Sequence, residues 1–286
     1  MKNELISVIM SVYNETIYEL KRSMDSILKQ SYSNIEFVIV NDNPNNKEIK
    51  RYLDSIDDKR VVIVENPKNL GLVSSLNSAL SICKGEYIAR MDADDFSFAE
   101  RLEKEKAFLE NNDYDVVGCF DIEVSNDKKH YYKKPVYFKD VFKILKKRNC
   151  LSHPTWLLKK EVYKKLDGYR DIKYCEDYDF LLRAINNNYK IGNCPQYLLE
   201  HYIRDTSISL PNKCLQLLIT DYLAKRKANI STDDLVVFIN SNNTKKEIEK
   251  YNKCTDDLKN KKVVSLLLNK WFYKRLLDKV KYILNF

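Results

Sequence analysis

The feature that most restricts this chain is a rhythm in its first 120 residues, where short, nearly unbroken apolar runs alternate with stretches of helical periodicity. Residues 6–12 (ISVIMSV) and 35–40 (IEFVIV) are almost wholly apolar, as expected of parallel strands covered on both faces. Between them Leu20, Met24, Ile27 and Leu28 recur at helical spacing. A polar helix at 47–56, a strand at 61–64 and the stripe Leu72, Leu76, Ala79, Leu80, Cys83 continue the pattern. A strand at 87–91, a helix at 99–111 and a strand at 116–120 complete it. Such alternation predicts an α/β fold with a parallel sheet joined by right-handed crossovers. Beyond about residue 120 it loosens into hairpin-like and helical pieces at 131–138, 139–147, 160–166 and 178–185. Residues 215–229 read as a helix outside the sheet, and only the polar stretch 240–244 resembles a linker.

Composition excludes several classes. Five Gly and six Pro in 286 residues rule out collagen-like and Gly/Pro-rich disordered chains. No apolar run approaches the roughly 18 residues of a membrane-spanning helix. The opening MKNELISVIMSVYNE enters strand-like sequence without an apolar leader, so the expectation is a cytoplasmic protein. Seven cysteines without a C-x-x-C argue against zinc, iron–sulfur or a disulfide framework and for reduced, buried thiols. The net charge of +8 is concentrated: residues 259–286 hold eight basic residues and one acid, Asp278. A nearly neutral remainder argues against a nucleic-acid-binding body.

Open parallel sheets bind ligands beyond the carboxyl ends of their strands. Three polar clusters fall there: Tyr13-Asn14-Glu15, Asn41-Asp42-Asn43 and Asp92-Ala93-Asp94-Asp95. Each alone could be a cap or turn. Three carboxylates in four residues, however, repel one another unless a cation or donors offset them. Extended backbone points Asp92 and Asp94 to one side, a pair of oxygen donors suited to Mg²⁺ or Mn²⁺. Neither G-x-G-x-x-G nor G-x-x-x-x-G-K-[ST] is present, so phosphates are expected to be held through a metal. A nucleoside diphosphate as leaving group fits that chemistry.

V-I-M-S-V-Y-N-E, V-I-V-N-D-N, N-L-G-L-V-S-S-L-N, A-R-M-D-A-D-D and C-E-D-Y-D-F-L-L-R occur in order over residues 5–210. Together they resemble the family 2 glycosyltransferases of the GT-A fold, which are inverting, metal-dependent and use nucleotide-diphosphate sugars. R-N-C-L-S-H-P-T at 148–155 looks like the subgroup that builds bacterial capsule, O-chain and exopolysaccharide repeats. The resemblance implies a Rossmann-like, mostly parallel sheet flanked by helices, with a C-terminal helical extension. It divides the chain into a catalytic domain at 1–212 (donor half 1–120, acceptor half 121–212) and an extension at 213–286. It also implies Mn²⁺ or Mg²⁺, a UDP-sugar donor, and a saccharide acceptor of the kind carried on undecaprenyl diphosphate.

Site roles follow by motif match. Ser11, Tyr13, Glu15, Asp42, Asn69, Asp92 and Ala93 would surround the donor, with Tyr13 stacked on the base and Asp42 accepting from the uracil N3–H. Asn41-Asp42 stands where the family commonly has two acids. Asp92 would meet the ribose and Asp94 the metal, with Asp95 behind it. Glu176-Asp177 matches the catalytic E-D pair, Asp177 being the base that takes the acceptor proton. Against this, Asp177 opens a helix, whose N-terminus favours the ionised acid, whereas a base needs a raised pKa. His153 would lie near phosphate or acceptor, His201 on the metal or diphosphate, and Arg204 on the diphosphate, while Ser207 and Ser209 lie in a segment that closes over the donor. Arg90 and Arg101 are read as structural partners of the acidic cluster.

A helical tail would place Leu266, Phe272, Tyr273, Leu276, Leu277, Val280, Ile283 and Leu284 on one arc, opposite Lys270, Lys274 and Lys281. That pattern suits peripheral contact with the anionic inner face of the cytoplasmic membrane. The alternative is docking on the fold or on a second subunit of a homodimer. Two rival functions remain, a sugar nucleotidyltransferase and a non-catalytic nucleotide-binding subunit. The first lacks its usual Gly-rich basic loop after the first strand, and the second would be expected to have lost the acids present here.

Overall fold

The computed structural model describes residues 3–126, 128–203, 209–259 and Trp271. Its first half keeps the expected alternation: β1 (Ile6–Val12), α1 (Ile17–Leu28), β2 (Ile35–Asn41), α2 (Lys47–Asp54), β3 (Val61–Glu65), α3 (Leu72–Ile82) and β4 (Tyr87–Arg90). These strands pair in parallel in the order β3-β2-β1-β4, which brings their carboxyl ends to one edge. β2 is buried along its whole length, as its unbroken apolar sequence requires. Thr16 and Glu19 close a capping box that starts α1 directly after the Tyr13–Glu15 turn.

Past β4 the sheet departs from the parallel pattern. The chain continues through β5 (Phe96–Ser97), α4 (Arg101–Asn111), β6 (Val116–Ser125), β7 (Lys128–Tyr132) and α5 (Phe138–Leu145). A 3₁₀ turn at His153–Thr155 leads into β8 (Leu157–Lys159), α6 (Lys160–Leu166), α7 (Glu176–Asn186) and β9 (Ile191–Tyr202). β8 inserts antiparallel between β4 and β6, β9 runs parallel to β6, and β7 and β5 pair antiparallel with β6 and β9. The reason lies in the connections: β7 follows β6 too closely for a crossover, and β8 is three residues long, too short to show a period.

Three helices end the described chain, α8 (Ser209–Arg226), α9 (Thr232–Asn240) and α10 (Asn242–Lys259). The stretch read as a linker at 240–244 is instead the α9–α10 junction. Ser241 Oγ accepts from Thr244 N (3.2 Å), and Thr244 Oγ1 donates to Phe238 O (2.8 Å). Capping chemistry, not flexibility, explains its polarity. Ile219, Leu223, Ile230 and Leu235 join the apolar core that holds Tyr178, Phe180 and Leu181 of α7. Trp271 is buried with Cys214, Tyr251 and Cys254, its Nε1 donating to Glu247 Oε2 (3.1 Å). The predicted tail arc otherwise lies outside the described residues. Among those residues no helix is long and apolar enough to cross a membrane.

Candidate active site

The carboxyl edge of β1, β2 and β4 gathers the three polar clusters as expected. After β1, Tyr13 is 40% exposed, and its backbone N–H donates to Glu15 Oε2 (2.7 Å). Asn43 Nδ2 ties the β1 and β2 ends together through Tyr13 O (3.1 Å) and Asn14 Oδ1 (2.8 Å). Ser11 is half-buried near the end of β1, in register with Val40. Asp42 is buried and heavily used by the protein. Its Oδ1 accepts from Asn66 Nδ2 (2.7 Å) and Leu70 N (2.8 Å), and its Oδ2 from Gly71 N (2.9 Å). Asn69 Oδ1 also accepts from Gly71 N (3.0 Å). Gly71 has φ +86°, a conformation that suits glycine and lets the loop turn into α3.

The acidic cluster after β4 sits among cations. Fully buried Arg90 donates to Asp92, and Ala93 is buried behind it. Burial works against the Asp92 charge, but Arg90, with the His201 imidazolium, outweighs it and holds the carboxyl below its usual range. Arg22 of α1 donates to Asp94 O, stacks 3.5 Å over the Tyr202 ring, and is followed by Ser23, whose Oγ donates to Asp92 O (2.7 Å). Asp95 is wholly buried and accepts from Tyr202 N (3.0 Å), while its Oδ2 faces His201 Nδ1 at 3.2 Å. Burial opposes the His201 imidazolium, but Asp95, then Asp92 and Asp94, raise it to about 10. The Asp95 contact fixes the His201 ring through Nδ1 and leaves Nε2 as the ring's other nitrogen for a ligand. Arg101, also fully buried, bonds Ser97 Oγ, Arg90 O and Pro154 O, so its role is to fasten the cluster to the His153 turn.

Glu176 and Asp177 occupy the first turn of α7 and lie within the electrostatic reach of Asp92. Burial raises the pKa of both carboxyls, Glu176 also through the adjacent Asp177 charge. For Asp177, donation from Tyr178 N (2.6 Å) and Asn149 Nδ2 (2.7 Å) pulls the other way without cancelling burial. The tension between helix N-terminus and general base is thus decided by desolvation. Tyr174, just before the helix, has φ +64°, a strained conformation for an aromatic residue, and its carbonyl accepts from Gln216 Nε2 of α8 (3.0 Å). Buried Asp179 anchors α7 between Arg170 and Arg183, which also bond Ile230 O (2.7 Å) and Gly168 O (2.9 Å).

His153 is placed between these clusters. Its Nε2 meets Tyr169 OH at 2.8 Å, and its ring packs edge-on against Trp156. Burial, reinforced by Arg90 and opposed by Asp92, lowers His153 to about 3, so the ring is neutral at physiological pH. The structure therefore brings Asp92, Asp95, His153, His201, Glu176 and Asp177 into one neighbourhood, with Asp42 and the Tyr13 turn on the adjoining rim. Arg204, Ser207 and the side chain of Ser209 lie outside the described residues.

Residues 7–167 match the model of glycosyl transferase family 2, which is more than half of the chain. The chain belongs to this family. An uncharacterized glycosyltransferase of Methanocaldococcus jannaschii is 37% identical over 79% of this chain and 80% of its own length. The O-antigen biosynthesis glycosyltransferase WbnJ of Escherichia coli is 34% identical over 78% of this chain and 91% of its own. The fold is similar to that of the mannosyltransferase PcManGT from Pyrobaculum calidifontis, solved with GDP-Man and Mn²⁺ (TM-score 0.60, 19% identity, 79% of this chain and 65% of that one). It is also similar to S. aureus TarS 1–349 solved with UDP-GlcNAc (TM-score 0.59, 18% identity, 80% of this chain and 69% of that one). This chain spans just under two thirds of the length of PcManGT.

In this glycosyltransferase, sequence reasoning missed several residues that set the site. Asn149 and Asn77 stood inside quoted motifs, R-N-C-L-S-H-P-T and N-L-G-L-V-S-S-L-N, and could have been singled out there. Asn77 brackets Tyr169 with two bonds, Nδ2 to Tyr169 O (2.8 Å) and Oδ1 from Tyr169 N (2.9 Å). Gly168 permits that approach, since a Cβ there would lie 2.5 Å from Asn77 Oδ1. Arg22, Tyr169 and Gln216 carry no local signal, because their partners are distant in sequence.

Proposed function

We propose that this chain is an inverting hexosyl- or N-acetylhexosaminyltransferase that moves a sugar from a UDP-sugar to a saccharide acceptor. The acceptor class we infer is lipid-linked, at the inner face of the cytoplasmic membrane, in bacterial surface polysaccharide synthesis. The observation that carries the reading is the opposed electrostatics of two acidic clusters within reach of each other, one kept ionised among cations and one kept weakly acidic by burial.

In this reading the donor lies across the β1, β2 and β4 rim. Tyr13 offers its exposed ring to the base. Asp42 holds the loop at 66–71 and keeps acceptor capacity on Oδ2, which takes a single protein donor, for the uracil N3–H. Ser11, Glu15, Asn69 and Ala93 shape the same rim, Asp92 meets the ribose, and Arg204 is assigned to the diphosphate. Asp94 and Nε2 of His201 fit a divalent ion chemically. Among the described residues no three His, Cys, Asp or Glu converge on one position, so in this reading phosphate oxygens and water would complete the ion's ligands. Such an ion supplies charge neutralisation on the departing diphosphate. Asp177, oriented by Asn149, accepts the proton of the attacking hydroxyl, with Glu176 beside it in the same helical turn. Neutral His153, held by Tyr169, lines the floor between donor and acceptor sides. Inversion follows when the base lies across the sugar from the leaving group, giving a β-linkage from an α-linked donor.

Calorimetric titration with UDP, GDP, CDP and dTDP, each with Mn²⁺ and with EDTA, tests this reading. Metal-dependent binding of UDP alone supports the roles of Asp42 and Asp94. Preference for another nucleotide keeps the transferase and discards the uracil assignment. Binding of none favours a non-catalytic subunit.

A further inference from the structure

Residues 128–148 hold nine Lys and Arg against one acid, Asp140, a net +8 in 21 residues. The stretch runs in sequence from the edge strand β7 into α5. In α5, Val141 and Leu145 are buried, while Lys139 and Lys143, followed by Lys146 and Lys147, are exposed at one-turn spacing. Among the described residues no acid pairs with these four lysines, although Lys129 and Lys134 pair with Glu200 and Asp121. Tyr131 of β7 and Tyr137, just before α5, are 60% and 63% exposed. Arg148, exposed at its end, directly precedes Asn149, the residue that orients Asp177.

The geometry points to this face as the surface by which the protein docks on an anionic phospholipid bilayer. Three observations favour a bilayer over a soluble polyanion. The cations are almost all lysine, whose compact point charge is attracted to any anionic surface, whereas phosphate-specific recognition prefers the bidentate arginine fork. Two exposed tyrosines have the amphipathic rings that settle at the headgroup level. The stretch also ends one residue before Asn149, which bonds Asp177, so a saccharide carried on a membrane lipid would be presented near that base. The assignment deepens the reading of the acceptor as lipid-linked and moves the membrane contact from the tail to β7 and α5.

Sedimentation of the full chain with phosphatidylcholine vesicles, with and without phosphatidylglycerol, tests the surface. Binding is expected only with the anionic lipid and to fall as salt rises. Lys139→Gln/Lys143→Gln/Lys146→Gln/Lys147→Gln is expected to weaken it by roughly two orders of magnitude. Lys270→Gln/Lys274→Gln/Lys281→Gln in the tail is expected to leave it nearly intact. The reverse pattern overturns the inference, as does a wild-type protein that ignores vesicles but is retained by heparin or RNA. As an independent readout, Tyr137→Trp fluorescence is expected to shift to the blue on anionic vesicles, and no shift overturns the assignment. UDP-sugar turnover on a soluble acceptor is measured alongside. Vesicle binding without turnover would fault the transferase reading alone, and turnover without vesicle binding the docking surface alone.

Discussion

At the end of β4, carboxylates pair with Arg90 and His201; at the start of α7, Glu176 and Asp177 are half-buried, with no ion-pair partner among the described residues. The residue types are alike, yet Asp92 is held below the usual carboxylate range while both α7 acids are pushed above it. The difference teaches that burial alone does not set a carboxyl's charge. What decides is whether cations are buried with it. The first cluster suits a bound cation, the second a proton in transit.

The contrast breaks most sharply at Asp177. Asp177→Asn is expected to reduce transfer by about 10²–10⁴-fold while metal-dependent donor binding, followed by calorimetry, stays near wild type. Asp94→Asn is expected to do the converse and weaken that donor binding by at least about tenfold, as EDTA does to the wild type. Equal loss of binding in both variants would dissolve the distinction between the clusters. Asn149→Ala removes a hydrogen bond that favours ionised Asp177, so the acid limb of the kcat profile is expected to move to higher pH by about one unit. Activity is then lost as pH falls through a higher midpoint; an unmoved limb would assign it to another group. The smallest effect is on stability. A buried carboxyl with a raised pKa destabilises the fold only above its unfolded pKa, where ionisation favours the unfolded chain. Asp177→Asn is therefore expected to raise the thermal midpoint by a few degrees at pH 8 and not near pH 4.

Much of the donor side was legible beforehand. The apolar runs of β1 and β2 report burial directly, because both faces of those strands are covered, and Leu76 and Ala79 of the α3 stripe mark its one buried face. The acids Asp92, Asp94, Glu176 and Asp177 were visible as residue types in order. Their opposite electrostatics were not, since His201 reaches Asp95 across 106 residues and Asn149 reaches Asp177 across 28. β5, β7, β8 and the α9–α10 junction were also misread or missed, being too short or too polar for periodicity to declare them.

The sequence by itself determined the alternating α/β frame, the family and the chemical inventory on the strand ends, because those depend on local pattern and spacing. Only the tertiary structure decided that β8 enters antiparallel, that Asp42 fastens the loop at 66–71, and that burial overrides the helix N-terminus at Asp177. These outcomes depend on which distant groups are desolvated together, and desolvation is a property of the packed chain rather than of any segment.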